Sequence, residues 1–173
     1  RSNYDATKIG FLSYDLREHY ISYFLKVFIK KKKKKKFKPI AFNLFRNEEN
    51  NPFISDLKNS FSEWYDVSNM SDKDLSDLIS SKNIYFLVDL AGYSTGSRLQ
   101  VFKNKPSPVQ LSWLGYCNDT HLEEIDYMVV DENVVTEKQR SANTKIKKIS
   151  TIWNSLSKLD EVKINELPFF YYI

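Results

Sequence analysis

Histidine and glycine are so scarce in this chain, with 2 His and 4 Gly, that where they stand is informative. His19 lies in a polar stretch with Asp15, Arg17 and Glu18, just after the apolar residues Ile9, Phe11 and Leu12. An imidazole titrates near about 6.5, so at neutral pH it can take a proton from a hydroxyl. A loop histidine is equally at home as a plain surface group, and His121 reads the same way. No nucleophile motif places a serine or cysteine beside either one, so a hydrolase triad is unsupported.

Three of the glycines, Gly92, Gly96 and Gly115, cluster, and the fourth is Gly10. Gly92 and Gly96 flank Tyr93, Ser94 and Thr95 between an apolar run and a helical pattern. Backbone N–H groups and a helix start could hold a phosphate or sugar hydroxyl there. A tight strand-to-helix turn explains the same spacing. The turn is neither a Walker loop, since no Gly-Lys-Ser/Thr follows, nor the three-glycine dinucleotide fingerprint. Asp72, Lys73 and Asp74 have the carboxylate spacing that could hold a divalent metal on a nucleotide-sugar, but they open a predicted helix whose dipole explains them. No metal is expected. Cys117 has no neighbour that would obviously activate its thiol, and reads as a small, semi-buried residue.

A chain of 173 residues, 42% hydrophobic and 15% aromatic, can bury a real core and suits one compact domain. A single cysteine excludes an internal disulfide framework and fits a reducing compartment, so a cytoplasmic location is expected. The net charge of +4 rests on the uninterrupted lysine run from Lys30 to Lys36, without which the chain is acidic. Nucleic-acid binders spread their basic residues over a face and interleave aromatics, so nucleic acid is an unlikely partner and the run reads as a solvated surface segment. No apolar stretch reaches the roughly 18 residues of a membrane span, since Ile21 to Ile29 is broken by Lys26. The Arg1 start and the aromatic end from Leu167 to Ile173 read as cuts from something longer.

Positioning these groups requires alternating strands and helices. Lys8 to Ser13 reads as a buried strand, and Ile21, Phe24, Leu25 and Phe28 recur at helical spacing up to the lysine run. Pro39 is expected to start a strand over Ile40 to Phe45, and Pro52 a helix carrying Phe53, Leu57 and Phe61. A brief strand at Trp64 to Val67 precedes a helix capped by Ser71 and ending near Lys82. Ile84 to Leu90, apolar except for Asp89, reads as a central parallel strand. A helix at Arg98 to Phe102 and strands at Val109 to Leu114 and Ile125 to Val130 follow, with a further strand at Lys145 to Ile149 and an ambiguous stretch at Val162 to Glu166. This βαβα alternation predicts an α/β fold with a doubly wound, mostly parallel sheet and ligands at the carboxyl ends of its strands.

The segments Leu87-Val-Asp-Leu-Ala-Gly-Tyr-Ser-Thr-Gly-Ser-Arg98, Lys105-Pro-Ser-Pro-Val-Gln-Leu-Ser-Trp-Leu-Gly-Tyr116 and Ile125-Asp-Tyr-Met-Val-Val-Asp131 closely resemble the O-linked N-acetylglucosamine transferases, glycosyltransferase family 41. Ser13, Asp15, Leu16, Glu18, His19 and Tyr20 are similar to that family's opening histidine loop. The resemblance covers nearly the whole chain. It implies the Rossmann-like first lobe of a two-lobed GT-B catalytic region, over residues 1–150, with 151–173 leading to a second lobe that binds most of the UDP and with tetratricopeptide repeats upstream. It implies an inverting transfer of N-acetylglucosamine from UDP-GlcNAc to Ser or Thr hydroxyls of an acceptor protein, with no metal and no cofactor beyond that donor. This chain alone would then be inactive.

By position, the resemblance makes His19 the active-site histidine. It makes Gly92, Tyr93, Ser94 and Gly96 the cleft-facing turn, followed by Arg98. Trp113, Leu114, Gly115 and Tyr116 become the strand end below the sugar. Tyr20 stands in place of the family's proline, Tyr23 in place of a frequent histidine, and Cys117 to His121 in place of a Pro-Gly-Thr loop. Those departures fit an alternative, a divergent binding module that keeps the fold without catalysis.

Overall fold

The apolar runs fold as parallel strands, as their lack of polar–apolar alternation requires. The computed structural model describes residues 7–32, 37–46, 51–116 and 118–129. In chain order these form β1 (Thr7–Ser13), α1 (Tyr20–Lys32), β2 (Phe37–Asn43), α2 (Pro52–Lys58), β3 (Glu63–Asp66), α3 (Asp72–Ser81), β4 (Phe86–Asp89), α4 (Gln100–Lys103), β5 (Val109–Trp113) and β6 (Tyr127–Val129). The sheet runs β3-β2-β1-β4-β5-β6, and every neighbouring pair is parallel. The strand order reverses between β1 and β4, the place where open α/β sheets leave a crevice at their carboxyl edge.

Successive residues of a strand face opposite ways, so the sheet builds a core on each side. Ile9, Phe11 and Val88 pack on Ile21, Leu25 and Ile29 of α1 and Leu57 of α2. Leu12, Ile40, Phe42 and Leu87 pack on Leu75 and Ile79 of α3 and on Val101 and Phe102 of α4. The doubly wound expectation is met.

Element ends differ from the sequence reading where backbone pairing overrides residue type. β2 begins at Phe37, before Pro39, and ends at Asn43, because it pairs with β1 from Thr7↔Phe37 to Ser13↔Asn43, while β3 joins its other edge only from Ile40 onward. At Pro39 that side carries no ladder bond from the ring nitrogen, while its carbonyl still accepts from Ser62 N–H at 2.8 Å. The helix expected at Arg98 to Phe102 is a single turn that starts at Gln100. The boundary at 150, the strand at Lys145 to Ile149, the stretch Val162 to Glu166 and the aromatic end all lie outside the described residues.

The helix starts follow their capping residues. Ser71 accepts from Asp74 N–H at 3.1 Å, and its hydroxyl donates to Asp74 Oδ2 at 2.6 Å. Asn51 Oδ1 accepts from Phe53 N–H at 2.9 Å and Ile54 N–H at 3.3 Å, with Pro52 as first helical residue. Asn51→Ala is expected to destabilise the fold by about 1 kcal/mol, while Asn51→Asp, which keeps the acceptor, should be nearly neutral. Urea titration of the three proteins checks this.

Candidate active site

The loop between β1 and α1 is organised by Asp15. Its N–H donates to Ser13 Oγ at 2.9 Å, and its carbonyl accepts the Ser22 hydroxyl at 2.6 Å, which ties the strand end to the first turn of α1. The nearly buried carboxylate accepts from Arg17 Nε at 3.3 Å and Nη2 at 3.1 Å, and its Oδ1 lies 3.8 Å from His19 Nδ1. Arg17 is held in turn over the rings of Tyr14 and Phe45. The His19 carbonyl starts α1 by accepting from Ser22 and Tyr23 N–H. Its ring lies against Tyr20, with centroids 4.1 Å apart.

Two groups face His19 Nδ1. Ile21 N–H, at 3.4 Å, favours a neutral ring protonated at Nε2. The Asp15 Oδ1, at 3.8 Å, lies beyond hydrogen-bond reach of the ring; a proton on Nδ1 would face it and leave the Nε2 lone pair open to a hydroxyl. The geometry places an imidazole and a carboxylate side by side at the carboxyl edge of β1.

The turn after β4 is built around Asp89, which is buried at 3% exposure. Its Oδ1 accepts from Ala91 N–H at 3.1 Å and its Oδ2 from Gly92 N–H at 2.8 Å. Burial raises this carboxyl to about 6, against the lowering effect of the two backbone donors. Gly92 and Gly96 take φ of 55° and 78°, left-handed values that favour glycine. A side chain at Gly92 would overlap the ring of Tyr116, and one at Gly96 the ring of Tyr14. Two backbone donors of this turn are already bonded within the protein. Gly92 N–H is spent on Asp89, Ser94 N–H on the Ala91 carbonyl, and α4 starts too late and is too short to add a useful dipole. What this turn offers a ligand is the outer surface of Tyr93, Ser94 and Gly96, all exposed.

Beyond β5, Leu114 takes a left-handed φ of 73°, and Gly115 sits so close to the Leu90 carbonyl that no side chain fits. A Cβ there would also lie 3.4 Å from Ile21 Cδ1. The Tyr93 hydroxyl donates to the Thr120 carbonyl at 2.6 Å, which pins the loop at 118–121 to the glycine turn. Three carboxyl-edge loops are thereby locked together, Tyr14 against Gly96, Tyr116 against Gly92, and Gly115 against Leu90. His19 belongs to the first of these, two residues before Ile21. His121, by contrast, is an exposed surface residue beside Asp119, and Cys117 lies outside the described residues.

The two carboxylates that open α3 are engaged elsewhere. Asp72 pairs with Arg98, whose Nε donates at 2.6 Å, and Asp74 belongs to the Ser71 cap. Lys30 donates to Asp56 of α2 at 2.9 Å. Sequence reasoning placed Asp15 and Asp89 but assigned neither a role. For Asp89 a signal was present, because an aspartate just ahead of Leu-Ala-Gly commonly bonds the N–H groups that follow it in a turn.

This geometry has relatives. The sequence model of Glycosyl transferase family 41 matches residues 1–156. The "Probable UDP-N-acetylglucosamine--peptide N-acetylglucosaminyltransferase SPINDLY" of Solanum lycopersicum is 27% identical over 125 residues, 71% of this chain and 13% of that protein. The "UDP-N-acetylglucosamine--peptide N-acetylglucosaminyltransferase" of Caenorhabditis elegans is 27% identical over 149 residues, 86% of this chain and again 13% of its length. Among solved structures, a mutant of the Thermobaculum terrenum O-GlcNAc transferase superposes with a TM-score of 0.76 at 27% identity, covering 83% of this chain and 28% of that one. The chain thus spans a small part of the curated relatives it matches. No helix among the described residues is long and apolar enough to cross a membrane. With most of its length inside the family's bounds and its sheet superposing on a solved transferase, the chain belongs to glycosyl transferase family 41.

Proposed function

We propose that this chain is the amino-terminal catalytic lobe of an enzyme that transfers N-acetylglucosamine from UDP-GlcNAc to serine and threonine hydroxyls of proteins. The observation that carries this reading is the His19–Asp15 pair at the carboxyl edge of β1, in a loop packed against the glycine turn that follows β4. The acceptor hydroxyl attacks the anomeric carbon from the face opposite the diphosphate, the bond to UDP breaks, and the configuration inverts. His19 Nε2 takes the hydroxyl proton, and the Asp15 carboxylate stabilises the imidazolium that results. Charge on the departing UDP falls to a second lobe, as the resemblance implies. No metal or cofactor takes part in this proposal, nor does a membrane or nucleic acid; upstream tetratricopeptide repeats and a cytoplasmic setting belong to it as inferences from the family.

Transfer of radiolabelled sugar from UDP-GlcNAc by the full-length protein tests the proposal. His19→Ala is expected to lower kcat by about 10²- to 10⁴-fold, the usual contribution of a positioned base. Unchanged turnover in that variant would sink the assignment. One observation favours a second, non-catalytic reading: the loop that replaces the family's Pro-Gly-Thr holds His121 at a left-handed φ of 54°, a conformation that suits glycine. Wild-type protein that transfers sugar to no acceptor while still binding a partner would support that module.

A further inference from the structure

Surface helices normally turn an apolar face inward and a polar face to water. α1 does not. Its inner residues Ile21, Leu25 and Ile29 are fully buried, yet among the described residues Tyr20, Tyr23, Phe24 and Val27 of the same helix are exposed by 60%, 48%, 65% and 52%. At 100° per residue these four positions form one stripe along the outside of the helix. A contiguous apolar stripe of this kind marks a docking surface.

The stripe has a direction. It begins at Tyr20, whose ring lies against His19, and runs toward Lys30 near the far end of the helix. α1 contains no acidic residue but carries Lys26 and Lys30. Asp56 of α2 meets both Lys26 and Lys30, so two ammonium groups share one carboxylate and this end of the stripe keeps a net positive charge. A second copy of the chain would bring an equally basic helix. The complementary occupant is a polypeptide with apolar side chains followed by acidic ones.

Resting on the transferase reading, we infer that the α1 stripe docks the acceptor polypeptide, taking apolar residues next to the modified hydroxyl and an acidic cluster beyond them. Along the axis, at 1.5 Å per residue, Tyr20 and Lys30 lie about 15 Å apart. An extended strand covers that distance in about five residues. The acceptor it selects has its acidic cluster about five residues from the serine or threonine.

The probe is a fluorescein-labelled peptide with one serine, two leucines, and three glutamates starting five residues from the serine, made with the tail on either side, plus a tail-less control. Anisotropy with the full-length protein should show one tailed peptide binding at least 10-fold more tightly than the control, and losing that gain in Phe24→Ser. Phe24 is exposed, so the variant should keep its unfolding midpoint. Lys30→Glu should reverse the preference toward a lysine-tailed peptide. In transfer assays, Phe24→Ser should raise KM for the tailed acceptor at least 10-fold with kcat unchanged. Equal binding by wild type and Phe24→Ser, or a tail that adds nothing, overturns the inference, as does a concentration-dependent dimer abolished by Phe24→Ser without peptide binding. Tail-dependent binding with no transfer to any peptide fails the transferase reading instead, and the acceptor assignment falls with it.

Discussion

Gly115→Ala is expected to lower the unfolding midpoint by about 6–12 °C, corresponding to about 3 kcal/mol in a protein of this size. The methyl would occupy the space of the Leu90 carbonyl oxygen, which is backbone at the end of β4 and cannot rotate aside. Relief therefore demands that the loop after β5 move away from β4, and with it Tyr116, which packs on Gly92. Gly10→Ala is the control. Its added carbon would meet only side-chain ends, Ile84 Cδ1 at 3.0 Å and Leu87 Cδ1 and Phe42 Cε2 at 3.1 Å, which can give by a few tenths of an ångström. It should cost about 1 kcal/mol. Equal losses in the two variants would show that the close approach at Gly115 is not what holds the loops together.

Asp89 carries the second large effect, and it depends on pH. Its carboxyl is raised from an ordinary 3.8 to about 6, chiefly by burial. Between those values the folded protein holds a proton that the unfolded chain has released, so stability falls as pH rises from about 4 through about 6. A shift of this size corresponds to about 3 kcal/mol over that window. Asp89→Asn does not titrate. The stability difference between wild type and this variant, followed by urea denaturation, should therefore shrink across that window and level off above it. A constant difference from pH 4 to 7 would contradict the assignment. Asp89→Ala strands the Ala91 and Gly92 N–H groups and should cost about 2–4 kcal/mol at pH 4, where the wild-type carboxyl keeps its proton, with the cost falling across the same window because alanine does not titrate.

Much of this fold is legible in residue patterns alone. The apolar runs at Ile9 and at Ile84 to Leu90 announce buried parallel strands, and Pro52 and Ser71 mark helix starts, because these signals are local and each residue's own conformational preference decides them. What could not be read depends on partners distant in sequence. Nothing near Gly115 points to Leu90, and nothing near Gly96 points to Tyr14. The glycine turn stands out by composition, but that Gly92 N–H is claimed by Asp89 shows only in the folded chain. His19 was visible as a scarce residue type in a polar loop. The carboxylate behind it is visible as Asp15 but becomes its partner only once the first turn of α1 folds back over the loop.

The placement of β1 sets an order of assembly. Ile9 lies between Pro39 on one side and Phe86 on the other. As the nascent chain leaves the ribosome, β1 and β2 can zip together early, with α1 laid across them. The opposite edge of β1 must wait, its amides and carbonyls open to water or to a stray strand, until synthesis has passed Asp89. Ribosome stalling ahead of that point would leave an aggregation-prone intermediate, and a chaperone that shields strand edges would be needed most in that interval.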